Sequence, residues 1–252
     1  MTKSNSTGRR IFAAALMGLL LLPLSASARE FLVGVENTQL YPIFGHRMGQ
    51  YRGFSRELLD AFAARKGYTF KYVGRTVPRL YGEFLDEELF DFKYPDSASW
   101  RAGQKAGKSI TYSAPVYSGI EATMVLPNRV GKPQSSIKTL GIIRGFQLRP
   151  YRKEIADGLI KQVESDNLPN LINNALNARV DAILVHQQVA NHYLSQNLKR
   201  PGGLVVDPSL PSNVVDYKLS TLKHPDVIAE FDEFLASEIE LIARLKSKYQ
   251  LD

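Results

Sequence analysis

Residues 31–73 read FLVGVENTQLYPIFGHRMGQYRGFSRELLDAFAARKGYTFKYV. Phe31 to Val35 is a short apolar, β-branched run, the pattern of a buried strand. Further on, Ser55 is placed to cap a helix, with Glu57 in the first turn where the helix dipole favours an acid. Leu58, Leu59, Phe62 and Ala63 recur at helical spacing, Phe54 can staple onto Leu59, and Gly67 is a helix stop. Tyr68 to Val73 reads as the next strand, so the stretch is a β-α-β unit. Its loop, from Tyr41 to Gly53, carries bulky aromatic and basic side chains beyond the carboxyl end of the first strand. Ligands of open α/β sheets bind there. The loop is therefore expected to wall a cleft, with Tyr41 and Phe44 stacking on a ligand; core packing of one of them is the competing expectation.

Working outward, a short helix is expected near Arg79 to Glu88, and the Pro-, Ser- and Gly-rich run from Phe90 to Tyr117 reads as loop. Glu121 to Pro127 and Leu140 to Phe146 read as strands. Leu168, Leu171, Ile172, Ala175 and Leu176 form one helical stripe with Pro169 early in it. Val180 to Val185 and the stretch GGLVVD at 202–207 read as further strands. The tail from Pro225 to Lys248 is an amphipathic helix or helix pair. The class is α/β, with no internal repeat and no low-complexity tract.

Arg9 and Arg10, the apolar run Ile11 to Leu22 and the small residues Ala26-Ser27-Ala28 make residues 1–28 an expected export signal, cleaved near Ala28. The apolar run is short for a membrane span. Arg9-Arg10 also fits a twin-arginine signal, so both export routes stay open, and the periplasm is the expected address. Three of the 32 basic residues precede residue 29, leaving 29 bases against 25 acids. That mild surplus favours anionic solutes weakly, and without a dense basic run nucleic acid is not an expected partner. There is no cysteine, hence no disulfide and no thiolate metal site. His46, His186, His192 and His224 lack metal-ligand spacing, and no GxSxG elbow occurs. Neither metal nor cofactor nor catalytic residue is expected, and Glu36, Asp91 and Asp96 read as ordinary polar residues near strand ends.

Four segments carry a resemblance over most of the chain: the opening stretch, SITYSAPVYSGIEATMVLP (109–127), LPNLINNALNARVDAILV (168–185) and VVDYKLSTLKHPDVIAEFDEFL (214–235). In order and spacing they resemble the family 3 extracellular solute-binding proteins, the periplasmic components of amino-acid-type ABC importers. The resemblance implies a two-lobed, type II periplasmic-binding-protein-like fold that closes on its ligand by hinge motion. It implies crossovers near Tyr117 to Ile120 and Val215 to Ser220, with 29–118 and 218–252 as one lobe and 119–217 as the other. The implied activity is reversible, non-catalytic binding of a small polar, carboxylate-bearing solute by a monomer serving an ABC permease. The alternatives are a protein that signals to a membrane sensor, and a periplasmic dehydratase, which this fold also hosts.

The resemblance has departures. Arg101 is the nearest counterpart of the arginine that clamps a ligand carboxylate in such proteins. His186 stands where they carry an acid for the ligand ammonium, which argues against an ordinary α-amino acid. Arg144 enters the altered turn of the second lobe. Arg101 and Arg144 are expected to hold a carboxylate or phosphate, and His186 to hydrogen-bond an acidic ligand. Lys93, Tyr94 and Trp100 are expected to line the cleft from the first lobe. Solvated arginines, a satisfied histidine and a core tryptophan are the corresponding structural roles.

Overall fold

The computed structural model describes residues 1–2, 29–146 and 149–251. Apart from Met1 and Thr2, the expected export signal falls on residues outside these. The chain begins with β1 (Arg29–Glu36), a hairpin of β2 (Gly45–Arg47) and β3 (Gln50–Arg52), α1 (Phe54–Lys66), β4 (Tyr68–Arg75) and α2 (Val77–Leu85). β5 (Phe92–Asp96), the short α3 (Ala102–Lys105), β6 (Thr111–Tyr112) and β7 (Tyr117–Val125) follow. Next come β8 (Thr139–Ile143), α4 (Arg152–Ala156), β9 (Lys161–Ser165), α5 (Leu168–Leu176), β10 (Ala182–His186), α6 (Gln187–His192) and β11 (Val205–Val206). β12 (Ser212–Thr221) returns, and α7 (Pro225–Ser237) and α8 (Ile239–Tyr249) end the fold. No helix among the described residues is long and apolar enough to cross a membrane.

The main path of hydrogen-bonded strands is β4-β1-β5-β12-β7-β10-β8-β9. Each end of it is a parallel trio, β4-β1-β5 and β10-β8-β9. Between them β12 and β7 run antiparallel to each other and to their outer neighbours. Two α/β halves are thus joined by two long strands. Parallel trios need cover on both faces, and β1 meets that demand with Val33 and Val35 fully buried. Phe62 of α1 packs its ring against Phe231 and Phe234 of α7, at 4.9 and 5.5 Å between centroids. Lys248 and Tyr249 of α8 reach back to Glu57 at 2.7 Å, so the tail belongs with the first half.

The opening β-α-β unit forms with one local change. Gly67 ends α1 in the left-handed conformation, as its sequence implies, but the helix begins at Phe54 with Gly53, not Ser55, at the cap. Gly53 has φ 110°, and a Cβ there would stand 2.7 Å from the carbonyl oxygen of Ile43. That close passage lets the amides of Phe54 and Ser55 donate to the carbonyls of Pro42 and Ile43, taking over the capping role. Ser55 is instead buried and shares a 2.7 Å hydrogen bond with the Tyr94 hydroxyl. Inside the preceding loop the chain also makes the β2–β3 hairpin, which the sequence reading passed over.

The larger correction concerns residues 90–117. Phe92–Asp96, read as loop, is a wholly buried central strand between β1 and β12. Lys93, Pro95 and Asp96 disguised it, because charged residues and proline are depleted in strands. The charges are buried because they satisfy each other. Asp96 accepts from Lys105 Nζ at 2.6 Å, from the Ser220 hydroxyl at 2.7 Å and from the Ser97 amide at 2.8 Å. Lys93 Nζ lies 3.2 Å from the same carboxylate and donates to the Pro95 carbonyl at 2.7 Å. Removing one partner of such a buried group leaves bare charge, which costs about 3–5 kcal/mol. Asp96→Ala is therefore expected to lose that much stability in urea denaturation. A loss under about 1 kcal/mol, the value of a surface pair, would mean that both lysines find other partners.

Candidate functional site

The carboxyl end of β1 meets the two joining strands at a cavity of about 180 Å³. One side is made by Glu36, Leu40, Tyr81 of α2 and the loop Ser97 to Arg101; the other by Glu121 of β7, Gly145, Phe146 and Arg149, and β12 from Asn213 to Tyr217. Its position beyond a parallel strand's end is the one that open α/β sheets use.

Five charged residues line the cavity: Glu36, Arg101, Glu121, Arg149 and Asp216, the last accepting from the Ser118 hydroxyl at 2.6 Å. Glu36 is the last residue of β1 and 3% exposed. Burial pushes its carboxyl up to about 7 from 4.5, against the pull of Lys93 and, more weakly, of Arg101; the Asp96 and Glu121 charges add to the rise. Burial also raises Glu121, opposed by a hydrogen bond from Asn213 and by the Arg149 charge; Asn213 Nδ2 donates to Glu121 Oε2 at 3.2 Å. The two arginines cross the cavity in opposite directions. Arg101 donates to the carbonyl of Gly145 at 3.0 Å, and Arg149 donates to the carbonyl of Ser99. Arg101 holds φ 48°, a left-handed conformation costly for a side chain of its size, and its guanidinium lies over the Tyr81 ring at 5.2 Å. Trp100 closes one wall, edge-on to Tyr217 at 5.7 Å.

The structure sorts the eight site residues expected from sequence. Trp100 and Arg101 line the cavity. His186, at the end of β10, lies deeper, between the rings of Tyr117 and Tyr217 at 5.6 and 6.0 Å. Phe44, Lys93 and Tyr94 are fully buried and are not cavity walls. Phe44 packs among Tyr51, Tyr94 and Tyr217, Lys93 belongs to the Asp96 cluster, and Tyr94 bonds Ser55. Tyr41 faces elsewhere, with its ring against His192 at 5.2 Å and beneath the Arg52 guanidinium at 4.4 Å. Arg144 points outward and pairs with Glu164 and Asp166 at 3.4 and 3.1 Å; from its loop, Arg149 reaches the cavity instead.

Sequence reading missed Glu36, Glu121, Arg149 and Asn213. Glu36 did carry a signal, an acid directly after a buried parallel strand, but it reads as ordinary until Lys93 and Glu121 are seen beside it. Among the described residues no three histidine or acidic side chains converge as a metal site.

No protein-family model and no curated protein matches the sequence. Solved structures match it closely in shape. The VFT2 domain of Bordetella pertussis BvgS, as a double mutant, superposes with a TM-score of 0.68 at 19% identity, over 87% of this chain and 93% of that one. ArtJ, the arginine-, lysine-, histidine-binding protein of Geobacillus stearothermophilus, gives 0.64 at 20% identity, over 88% and 95%. The ancestral amino acid-binding protein AncCDT-1, a precursor of cyclohexadienyl dehydratase, gives 0.68 at 17%, over 87% and 94%. The chain has the two-lobed periplasmic-binding-protein fold. β7 and β12 are the two strands that join its parallel trios, and the cavity lies beside them.

The raised Glu36 pKa makes a stability prediction. A carboxyl that holds its proton more tightly when folded than when unfolded contributes most below pH 4.5. Its contribution is lost as pH climbs from 4.5 through about 7. Glu36→Gln is expected to remove that decline, a difference on the order of 3 kcal/mol at pH 8 relative to pH 4. Parallel slopes for wild type and variant in pH-dependent denaturation would contradict it.

Proposed function

We propose that this chain reversibly binds a small solute of amino-acid type, bearing a carboxylate and a cationic group, in the cleft between its lobes. The observation that carries the reading is the presence of two arginines, Arg101 and Arg149, and three carboxylates, Glu36, Glu121 and Asp216, on one cavity. Arg101 and Arg149 present guanidinium donors suited to a carboxylate. Glu36 and Glu121 supply the negative charge that position 186 lacks, so the histidine there does not preclude an amino group. A cation beside Glu36 lowers its pKa, and binding then releases a proton. ArtJ and AncCDT-1, both amino acid-binding by name, support the ligand class.

Binding is non-catalytic, and the closed form is what a membrane partner, the permease of an ABC importer, would recognise. Hinge motion at β7 and β12 accounts for opening and closing, with residues 29–118 and 218–252 moving against 119–217. On closure the ligand carboxylate takes the guanidinium bonds now made by the Gly145 and Ser99 carbonyls.

A thermal-shift panel of amino acids, dicarboxylates, polyamines and sugars tests this. A ligand at a hundred times its Kd stabilises by about 2.7 kcal/mol, roughly 5–10 °C for a chain of this length. The expected hits are zwitterionic amino acids. Arg101→Ala is expected to weaken them by about 1.5–3 kcal/mol, the value of a hydrogen bond to a charged group. Hits confined to sugars, or no shift anywhere in the panel, would refute the reading. A hit consumed over time would point to turnover.

A further inference from the structure

The inner wall of the cavity backs onto a recess of about 10 Å³. Ile142 and Ile143 of β8 and Leu184 and Val185 of β10 give it apolar sides, and His186 lies at its end. Leu40, Glu121, Phe146 and Tyr217 line both spaces, so the recess lies directly against the cavity. A volume of this size holds one water-sized group.

The recess ends on polar atoms without partners among the described residues. His186 is 3% exposed, and among the described residues neither of its ring nitrogens has a hydrogen-bond partner; nor does the buried hydroxyl of Tyr117 beside it. A Cβ on Gly119 would collide with the imidazole and with the Tyr117 ring, so the bare glycine on β7 is what admits the histidine to this position. Burial holds the imidazole down to about 4, and a neutral ring offers one donor and one acceptor. Leaving such a buried group unsatisfied is costly. A charged group has better partners nearer the mouth: Glu36 and Glu121 for a cation, Arg101 and Arg149 for an anion.

We infer that the recess is a third subsite, reading one uncharged hydrogen-bonding atom at the inner end of the ligand, a hydroxyl or the tip of a carboxamide, with His186 as its partner. This deepens the binding reading above and rests on it. The ligand class narrows from zwitterions in general to those with a neutral polar end. An apolar end of the same shape leaves the imidazole unsatisfied, and discrimination of this kind is strong where a site is built to bond a polar group.

Calorimetry with two matched pairs, L-threonine against L-valine and L-glutamine against L-methionine, tests the inference on the full chain. Wild type is expected to bind the polar member of at least one pair tenfold or more tightly. His186→Leu is expected to lose that preference, while the apolar member keeps its affinity within about threefold, under the 1.4 kcal/mol of a tenfold change. His186→Gln, which keeps a neutral donor and acceptor, is expected to retain it and carries the test if the leucine variant does not fold. In wild type, the ¹⁵N resonances of the His186 ring should move with the polar member and not with the apolar one. Equal affinities within both pairs, an unchanged preference in His186→Leu, or the same ring shifts with both members, as a permanently bound water would give, overturns the subsite alone. No binding by any of the four overturns it together with the zwitterion reading.

Discussion

The buried carboxylate of Asp96 is the constraint around which the molecule is arranged. It sits fully buried with two lysines and a serine hydroxyl on it, and the groups that satisfy it come from β5, α3 and β12. An ion cluster without solvent tolerates little displacement, because any loosened member becomes an uncompensated charge in a poorly polarisable interior. β5 and β12 are thereby fixed side by side, and with them the point where the first half hands over to the joining strands. The same cluster sets the electrostatics above it. Of the charges acting on Glu36, Lys93 pulls its pKa down most and Asp96 pushes it up most. The protonation of the cavity acid thus depends on the packing of β5, whose Lys93 and Asp96 lie beneath the cavity lining.

Above that fixed floor the two sides meet through arginines. Arg101 and Arg149 each use a backbone carbonyl of the opposite side as acceptor. A carboxylate adds ion-pair attraction and a bidentate fit to the guanidinium that a neutral carbonyl does not supply. A ligand carboxylate entering between them therefore exchanges weaker acceptors for a stronger one and leaves no guanidinium unpaired on the way. The contacts that draw the sides together and the contacts that select an anion are made by the same two side chains.

Much of the architecture was legible from periodicity. β1, α1 and β4 follow from the apolar runs and from Gly67, and α5 with β10 from the stripe at Leu168 to Leu176 and the run ending at Val185. What stayed hidden was encoded in distant pairing. β5 reads as loop because Lys93 and Asp96 look solvated until Lys105 and Ser220 are brought to them from far along the chain. The site was legible as a place and less so as a set of side chains. The aromatic loop from Tyr41 to Gly53, expected to wall the cleft, puts no side chain on the cavity; Leu40 just before it lines the wall, while Phe44 turns into the core. Arg149 rather than Arg144 lines the cavity, Arg144 being held outside it by Glu164 and Asp166. Composition cannot distinguish an aromatic that stacks on a ligand from one that packs under it, since both are buried and apolar.

The strand order also bears on how the chain reaches this state. The hydrogen bond between Ser220 and Asp96 joins residues 124 apart in sequence, and all of the second half is interposed between them. The first trio cannot acquire its inner neighbour until the last strand has been synthesised and the intervening half has collapsed enough to bring β12 back. Contacts of such long range are slow to form, because closure entropy is lost before they contribute. Until then Asp96 has only its local partners, Lys93 and Lys105, and lacks the Ser220 hydroxyl and the cover of β12. The first half is thus completed late, and the second half, whose strands β8, β9 and β10 pair locally, is the part placed to fold first.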